Sequence, residues 1–356
     1  MHNLPPVLIG SPIFERPGYN PNHPLSISRV GPVITICRSL KWLNFDNYFE
    51  GTAASIEKLT TFHDSAYLKA LMHATTTQTV STDVREKFRF GTMENPVFEG
   101  LFERVATSVG GSILAAQKAL EGRIAFHPAG GTHHGRPDRA SGFCYSNDPV
   151  FAIRELLESG LKRIAYIDLD AHHGDGVEDT FIDDDRVLTI SIHEENRWPG
   201  TGLTHSQNAR NFPLPKGAGD FDLRSIFKTE ILPELRHYAP QAVVVTCGAD
   251  VLRGDPLSSL TMSNLALWRI ITTLAHMTPH AVILGGGGYN PWTTIRYWTG
   301  LWGHLNGFPI PSKLPDAAIK VLQSCTCDLV DDEDIDPLWF STLIDHVELH
   351  DAGELA

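Results

Sequence analysis

Long apolar runs are missing from this 356-residue chain. None approaches the roughly 20 residues needed to cross a bilayer, so no membrane partner is expected. The opening stretch, MHNLPPVLIGSP, has no basic segment followed by a long apolar one, so no secretory leader is expected. Cysteine is scarce: there are five, an odd number scattered along the chain. That excludes a disulfide framework and suits a reducing, cytoplasmic setting. Positive charge is also short, with 29 Lys and Arg against 42 Asp and Glu and a net charge of −13. Direct nucleic-acid binding needs basic surface and is not expected; a cationic substrate is compatible with this balance. Tandem repeats and low-complexity linkers are absent. What is present, 42% hydrophobic and 20% charged residues, is ordinary globular composition with ample material for a core.

Residues 11–24 are rich in Pro, Gly and Asn and read as a turn-filled loop. Helical spacing of apolar residues marks 97–120 and 148–159. Asp148 followed by Pro149 reads as a cap and first-turn residue. Arg123–His127, Arg163–Asp168, Val187–His193, Ala242–Cys247 and Ala281–Leu284 read as buried strands. Most are continuous runs of Val, Ile, Ala and Leu, as in a sheet covered on both faces. Helical stretches lie between them, so the fold class is α/β with a mainly parallel sheet.

Polar residues fall at the ends of these strands. Gly130-Gly131-Thr132-His133-His134 follows the first. Asp168-Leu169-Asp170-Ala171-His172 ends the second. The third ends in His193 and leads to Trp198-Pro199-Gly200; the fourth ends in Gly248-Ala249-Asp250. Gly285 to Gly288, then Tyr289 and Asn290, follow the fifth. In an open parallel sheet these ends share one edge, where ligands bind.

The stretch Arg163–Asp179 carries the chemistry. Asp168, Asp170 and His172 alternate at the end of a buried strand, on one side of it and its extension. Charges there are costly unless paired or metal-bound; a turn with an ion pair and a helix cap is the plainer alternative. Asp170, His172 and Asp250 make a plausible three-ligand set for a catalytic Zn²⁺, with Fe²⁺ or Co²⁺ also tolerated. His133 and His134 would each need an acidic partner, and Asp168 and Asp175 are spare carboxylates. Two His–Asp pairs beside an activated water suit hydrolysis by general acid and base. Gly285 to Gly288 lacks the Lys-Ser/Thr and following helix of a phosphate loop. It reads as a mobile turn presenting Tyr289, whose phenol can donate to an oxyanion or simply pack in the core.

Gly130 to His134, the run Ala140 to Asp148 (ASGFCYSND), the aspartate–histidine stretch, Gly248 to Pro256 and Gly285 to Asn290 resemble the zinc-dependent histone deacetylases. The likeness is to the class I and bacterial acetoin-utilisation-type branch. Further family-like motifs run from Asn22-His23-Pro24-Leu25 through Phe62-His63-Asp64-Ser65-Ala66-Tyr67 to about Trp302. The resemblance implies the single-domain arginase–deacetylase fold over residues 1–320, with 321–356 an acidic and helical extension. It implies one Zn²⁺ on Asp170, His172 and Asp250. His133, partnered by Asp168, and His134, partnered by Asp175, would handle protons around the attacking water. Tyr289 would polarise the acyl carbonyl, and the Gly142 carbonyl would accept the amide N–H. Phe143 and Trp198 would wall a narrow channel. Structural K⁺ is implied at Asp168, Asp170, His172, Ser191 and Ile192, with a second site near Phe181, Asp184 and Val187. The implied substrate is an acylated lysine in proteins or a small acylated amine.

Some positions depart from the family. Thr132 stands where eukaryotic members often carry an aromatic, and Trp198 where a phenylalanine is usual. Glu94 falls where an aspartate commonly grips the substrate backbone. A two-metal ureohydrolase is disfavoured, because Gly174 and Leu252 stand where further acidic ligands would be needed. A silent module that binds acylated lysine is a third reading, set against a full complement of catalytic side chains. Cys325-Thr326-Cys327 is half a metal clip without a second half, and Asp331 to Asp334 reads as a solvated turn. Residues 337–350 could form an amphipathic helix covering the body or a neighbouring subunit in a homo-oligomer.

Overall fold

The structure is a computed structural model that describes residues 2, 4–16 and 18–345. Eight strands form one sheet: β1 (Val7–Gly10), β2 (Tyr48–Glu50), β3 (Ile124–His127), β4 (Ile164–Asp168), β5 (Val187–Glu194), β6 (Ala209–Leu214), β7 (Ala242–Thr246) and β8 (His280–Leu284). Their order is β2-β1-β3-β8-β7-β4-β5-β6. Every adjacent pair is parallel. The five strands read from the sequence are β3, β4, β5, β7 and β8, the inner part of the sheet.

The three strands without a sequence signal have physical reasons to be silent. β2 has only three residues, none buried. β1 is a four-residue strand set directly behind Pro5 and Pro6, which read as a loop. β6 contains Pro213, which a sheet tolerates because β6 is an edge strand.

Side chains of the inner strands alternate between two apolar layers. Val243 and Val245 of β7 join Ala165, Ile167 and Ile283 in one core, covered by helices Asn264–Met277 and Pro291–Leu305. Ala242 and Val244 join Ile164, Tyr166 and Val282 in the other, under helices Leu101–Leu120 and Asp148–Glu158. Each fully buried valine contributes about 1.5–3 kcal/mol. This two-sided burial produces the uninterrupted Val/Ile/Ala runs.

Two helix starts differ from the sequence reading. The first begins at Leu101 rather than 97, after Gly100 in a left-handed conformation (φ 75°). The second is capped by Asn147, whose side chain accepts from the Val150 N–H. Asp148 is therefore not the cap; it is fully buried and committed elsewhere. The loop over 11–24 contains short 3₁₀ turns, Pro12–Phe14 and another starting at Pro24. Of the helix expected over 337–350, the described residues show one 3₁₀ turn, Pro337–Phe340; 346–350 lie outside them. Trp339 and Leu343 pack into the first core, and Trp339 stacks on Trp292 at 6.1 Å. The acidic turn at Asp331 to Asp334 is exposed. Among the described residues no helix is long and apolar enough to cross a membrane.

The register lines up one row across the sheet. His127 pairs with Leu284, Leu284 with Thr246, Thr246 with Asp168, and Asp168 with Ser191. The polar loops noted above all leave the sheet just past this row, at its carboxyl edge.

Candidate active site

Leu169 to His172 continue β4 beyond its last ladder pair. Asp170 and Asp250 are almost wholly buried, and His172 is 9% exposed. His172 Nδ1 lies 2.9 Å from Asp250 Oδ2 and 3.2 Å from Asp170 Oδ1. One donor atom from each of the three residues falls within a 4.8 Å cluster. Two carboxylates held this close in a dry site repel. Burial and the charge of Asp170 push Asp250 up to about 6. Burial opposes charge on His172, but the two carboxylates outweigh it and push the imidazole up to about 10. A group of this kind calls for a cation.

The glycines around it make the close approach possible. A Cβ on Gly287 would sit 2.2 Å from Asp250 Oδ2, and one on Gly248 2.3 Å from Asp170 Oδ2. Two acidic oxygen donors and an imidazole, bared on one side by glycine, fit a divalent metal of the zinc type. Gly174 stands two residues past His172, and a Cβ there would meet Asp168 Oδ2 at 2.0 Å. A carboxylate for a second ion cannot occupy that position without displacing Asp168.

The histidine pair comes from the loop after β3. His133 Nδ1 lies 2.7 Å from Asp168 Oδ2, and His134 Nδ1 lies 2.7 Å from Asp175 Oδ1. Each carboxylate accepts a hydrogen bond from Nδ1–H and so turns Nε2 toward the site. His133 Nε2 faces the carboxylate cluster, 3.7 Å from Asp170 Oδ1. His134 faces the channel, its ring 4.6 Å from that of Trp198. Burial lowers both imidazoles. For His133 the charges of Asp168 and Asp170 win and raise it to about 9. For His134 burial and the neighbouring His133 win, bringing it to about 3 against the pull of Asp175.

Tyr289 follows the glycine run. Its N–H donates to Asp255 Oδ2 at 2.7 Å, and its ring is 5.8 Å from Phe143. Burial and the charges of Asp250 and Asp170 hold the phenol well above its ordinary range, so it keeps its proton. Tyr289, His133, His134, Asp170, His172, Gly142, Phe143, Trp198 and Glu94 all line one cavity of about 480 Å³. The expected mobile turn is instead pinned. Gly287 N–H donates to Asp170, Ala249 N–H to the Gly287 carbonyl, and Arg29 to the carbonyls of Gly286 and Gly288. The glycines serve close packing there, not movement.

The residues implied for K⁺ fall in two places. Asp168 and Ser191 are register partners, with Ile192 next on β5 and Asp170 and His172 just past β4. Phe181, Asp184 and Val187 form the turn into β5, where the Phe181 carbonyl accepts from Asp184 and the Asp184 carbonyl from Val187. Cys325 and Cys327 are free thiols.

Several supporting residues escaped the sequence reading. Asp148 accepts from Gly131 N, Thr132 N and Ser112 Oγ, and so fixes the histidine loop; Thr132 Oγ also bonds to it. Arg136 pairs with Asp175. Asp255 holds Tyr289, and Arg29 holds the glycine run. Asp148 and Asp255 lie inside motifs quoted above, but the sequence makes Asp148 a helix cap and gives Asp255 no task. Arg29 has no local signal, because it acts across 257 residues of chain.

The carboxyl edge of the α/β sheet thus carries a buried Asp/His/Asp cluster, two His–Asp pairs and a phenol. A histone deacetylase domain matches residues 23–305, and the chain belongs to that family. It is 38% identical over 298 residues to type-1 histone deacetylase 1 of Dictyostelium discoideum, covering 79% of this chain and 59% of that protein. It is 35% identical to histone deacetylase 8 of Danio rerio, covering 81% of this chain and 79% of the relative. The chain therefore spans about three-fifths of the length of the first relative and most of the second. A crystal structure of an HDAC homolog from Aquifex aeolicus superposes with a TM-score of 0.91 at 34% identity, covering 96% of this chain and 95% of the other. A structure of an HDAC homolog in complex with SAHA matches equally.

Proposed function

We propose that this protein hydrolyses the amide of an acylated alkylamine, most simply the acetyl amide of lysine or of a similar small amine. The observation that carries the reading is convergence: the ends of β3, β4, β7 and β8 bring Asp170, His172, Asp250, two His–Asp pairs and Tyr289 together at one edge of the sheet. Asp170, His172 and Asp250 would hold one divalent cation, for which we propose zinc. Bound there, it supplies Lewis acidity toward the amide carbonyl and the attacking water.

The remaining work falls to the chain's own side chains. His134 faces the channel with a free Nε2, so it takes the proton of the attacking water and returns it to the departing amine. His133, held by Asp168 beside the carboxylate cluster, keeps its proton and stabilises negative charge developing near Nε2. Tyr289 donates its phenolic proton in a hydrogen bond to the carbonyl oxygen as that oxygen becomes anionic. The Gly142 carbonyl accepts the amide N–H and orients the scissile bond. Phe143 and Trp198 flank the alkyl chain and exclude water from it. K⁺ at the two groups of residues implied for it would be structural.

The test is a panel of acetyl-lysine peptides and monoacetylated diamines given to zinc-loaded protein. Turnover of at least one class is expected. No release of acetate from any of them overturns the reading.

A further inference from the structure

The Gly142–Phe143 turn is the strained part of the channel wall. Ser141 and Cys144 bridge across it in antiparallel fashion. Both residues between them have positive φ, 53° for Gly142 and 64° for Phe143. Two successive left-handed residues make the tight mirror-image turn of a hairpin, and a phenylalanine in that region is uncommon and costly. Something must hold it. Glu94 Oε1 accepts from the Gly142 N–H at 2.7 Å. The Glu94 loop is itself clipped: His23 Nδ1 accepts from Leu25 N, which leaves Nε2–H to donate to the Glu94 carbonyl at 3.0 Å. The His23 ring then packs against Phe143 at 4.7 Å and Tyr19 at 4.3 Å. Tyr19 OH closes the circuit by donating to the Phe143 carbonyl at 3.3 Å.

We infer that Glu94 is a positioning residue whose carboxylate pins the Gly142–Phe143 turn. This rests on the deacylase reading above and deepens it. Oε1 of the exposed Glu94 carboxylate is taken by the Gly142 N–H. The Gly142 carbonyl and the Phe143 ring are set by the same hydrogen bond, so losing it harms every substrate alike.

The test compares Glu94→Ala and Glu94→Gln with the parent. Amide hydrogen exchange over residues 140–145, followed by mass spectrometry, needs no substrate. Glu94→Ala should speed exchange there by about tenfold or more, as expected for losing a hydrogen bond to a charged acceptor. Glu94→Gln keeps an acceptor oxygen and should recover most of the protection. In turnover, Glu94→Ala should lower kcat by about tenfold on both an acetyl-lysine peptide and a monoacetylated diamine, with Gln again recovering most of it. A clamp on the peptide backbone predicts the opposite split: KM rises for the peptide only, Gln fails to rescue, and the diamine is untouched. That result, or unchanged exchange in Glu94→Ala, overturns the inference. Absence of turnover in the parent with altered exchange in Glu94→Ala would instead count against the deacylase reading and leave the pinning role standing.

Discussion

At the scale of single residues, the site is governed by what burial does to charge. Burial and the charges of Asp250 and Asp170 keep the Tyr289 phenol protonated, so its O–H is available to donate. Tyr289→Phe removes that donor without removing volume. We expect kcat to fall by about 10²–10³, the usual cost of one oxyanion donor, with the melting temperature within a few degrees of the parent. Near-normal kcat would mean the phenol is a packing residue. Asp170→Ala removes one of three donors from the cluster, and the protein purified from zinc-containing medium should lose stoichiometric metal. Retained zinc at one ion per chain would mean that Asp170 is not a ligand.

At the scale of elements, the catalytic loops are held from behind. Asp148 at the start of a helix fixes the histidine loop, and Asp255 fixes Tyr289. Beneath the latter lies the C-terminal segment: Trp339 stacks on Trp292, and a Cβ at Gly254 would touch its ring at 3.2 Å. Asn290 reaches the Gly254 carbonyl at 2.9 Å, so this packing borders the Tyr289 loop directly. Trp339→Ala should cost about 3–5 kcal/mol in chemical denaturation, as for other buried aromatics. A loss below about 1 kcal/mol would show that the segment only rests on the body.

At the scale of the whole molecule, stability should depend on pH through a buried histidine outside the carboxylate cluster. His63 is buried; its Nδ1 donates to the Arg136 carbonyl, and its Nε2 has no hydrogen-bond partner among the described residues. Burial pushes it down to about 4 from 6.5. A histidine depressed in this way contributes its full stability above the unfolded value of 6.5. That contribution is lost as pH falls toward 4, because the unfolded chain gains a proton that the folded one refuses. The loss amounts to about 3 kcal/mol over that window. Urea denaturation at stepped pH should show it, and His63→Gln should flatten the slope between pH 6.5 and 4. An unaltered slope in the variant would assign the acid sensitivity elsewhere.

The amino-acid order alone determined the α/β class, the inner strands and the clustering of acids, histidines and a phenol at their ends. Burial on both faces leaves unbroken apolar runs, and donors at alternate positions are a local pattern. It also pointed to Asp148 as the helix cap, where the structure has Asn147. It could not reveal the edge strands, the commitment of Asp148 to the histidine loop or the pinning of the glycine run by Arg29. Those depend on distances between segments far apart in the chain, and only closure of the sheet brought them into contact. The register from His127 to Ser191 is the physical cause, because it sets separate strand ends side by side and makes one site of them.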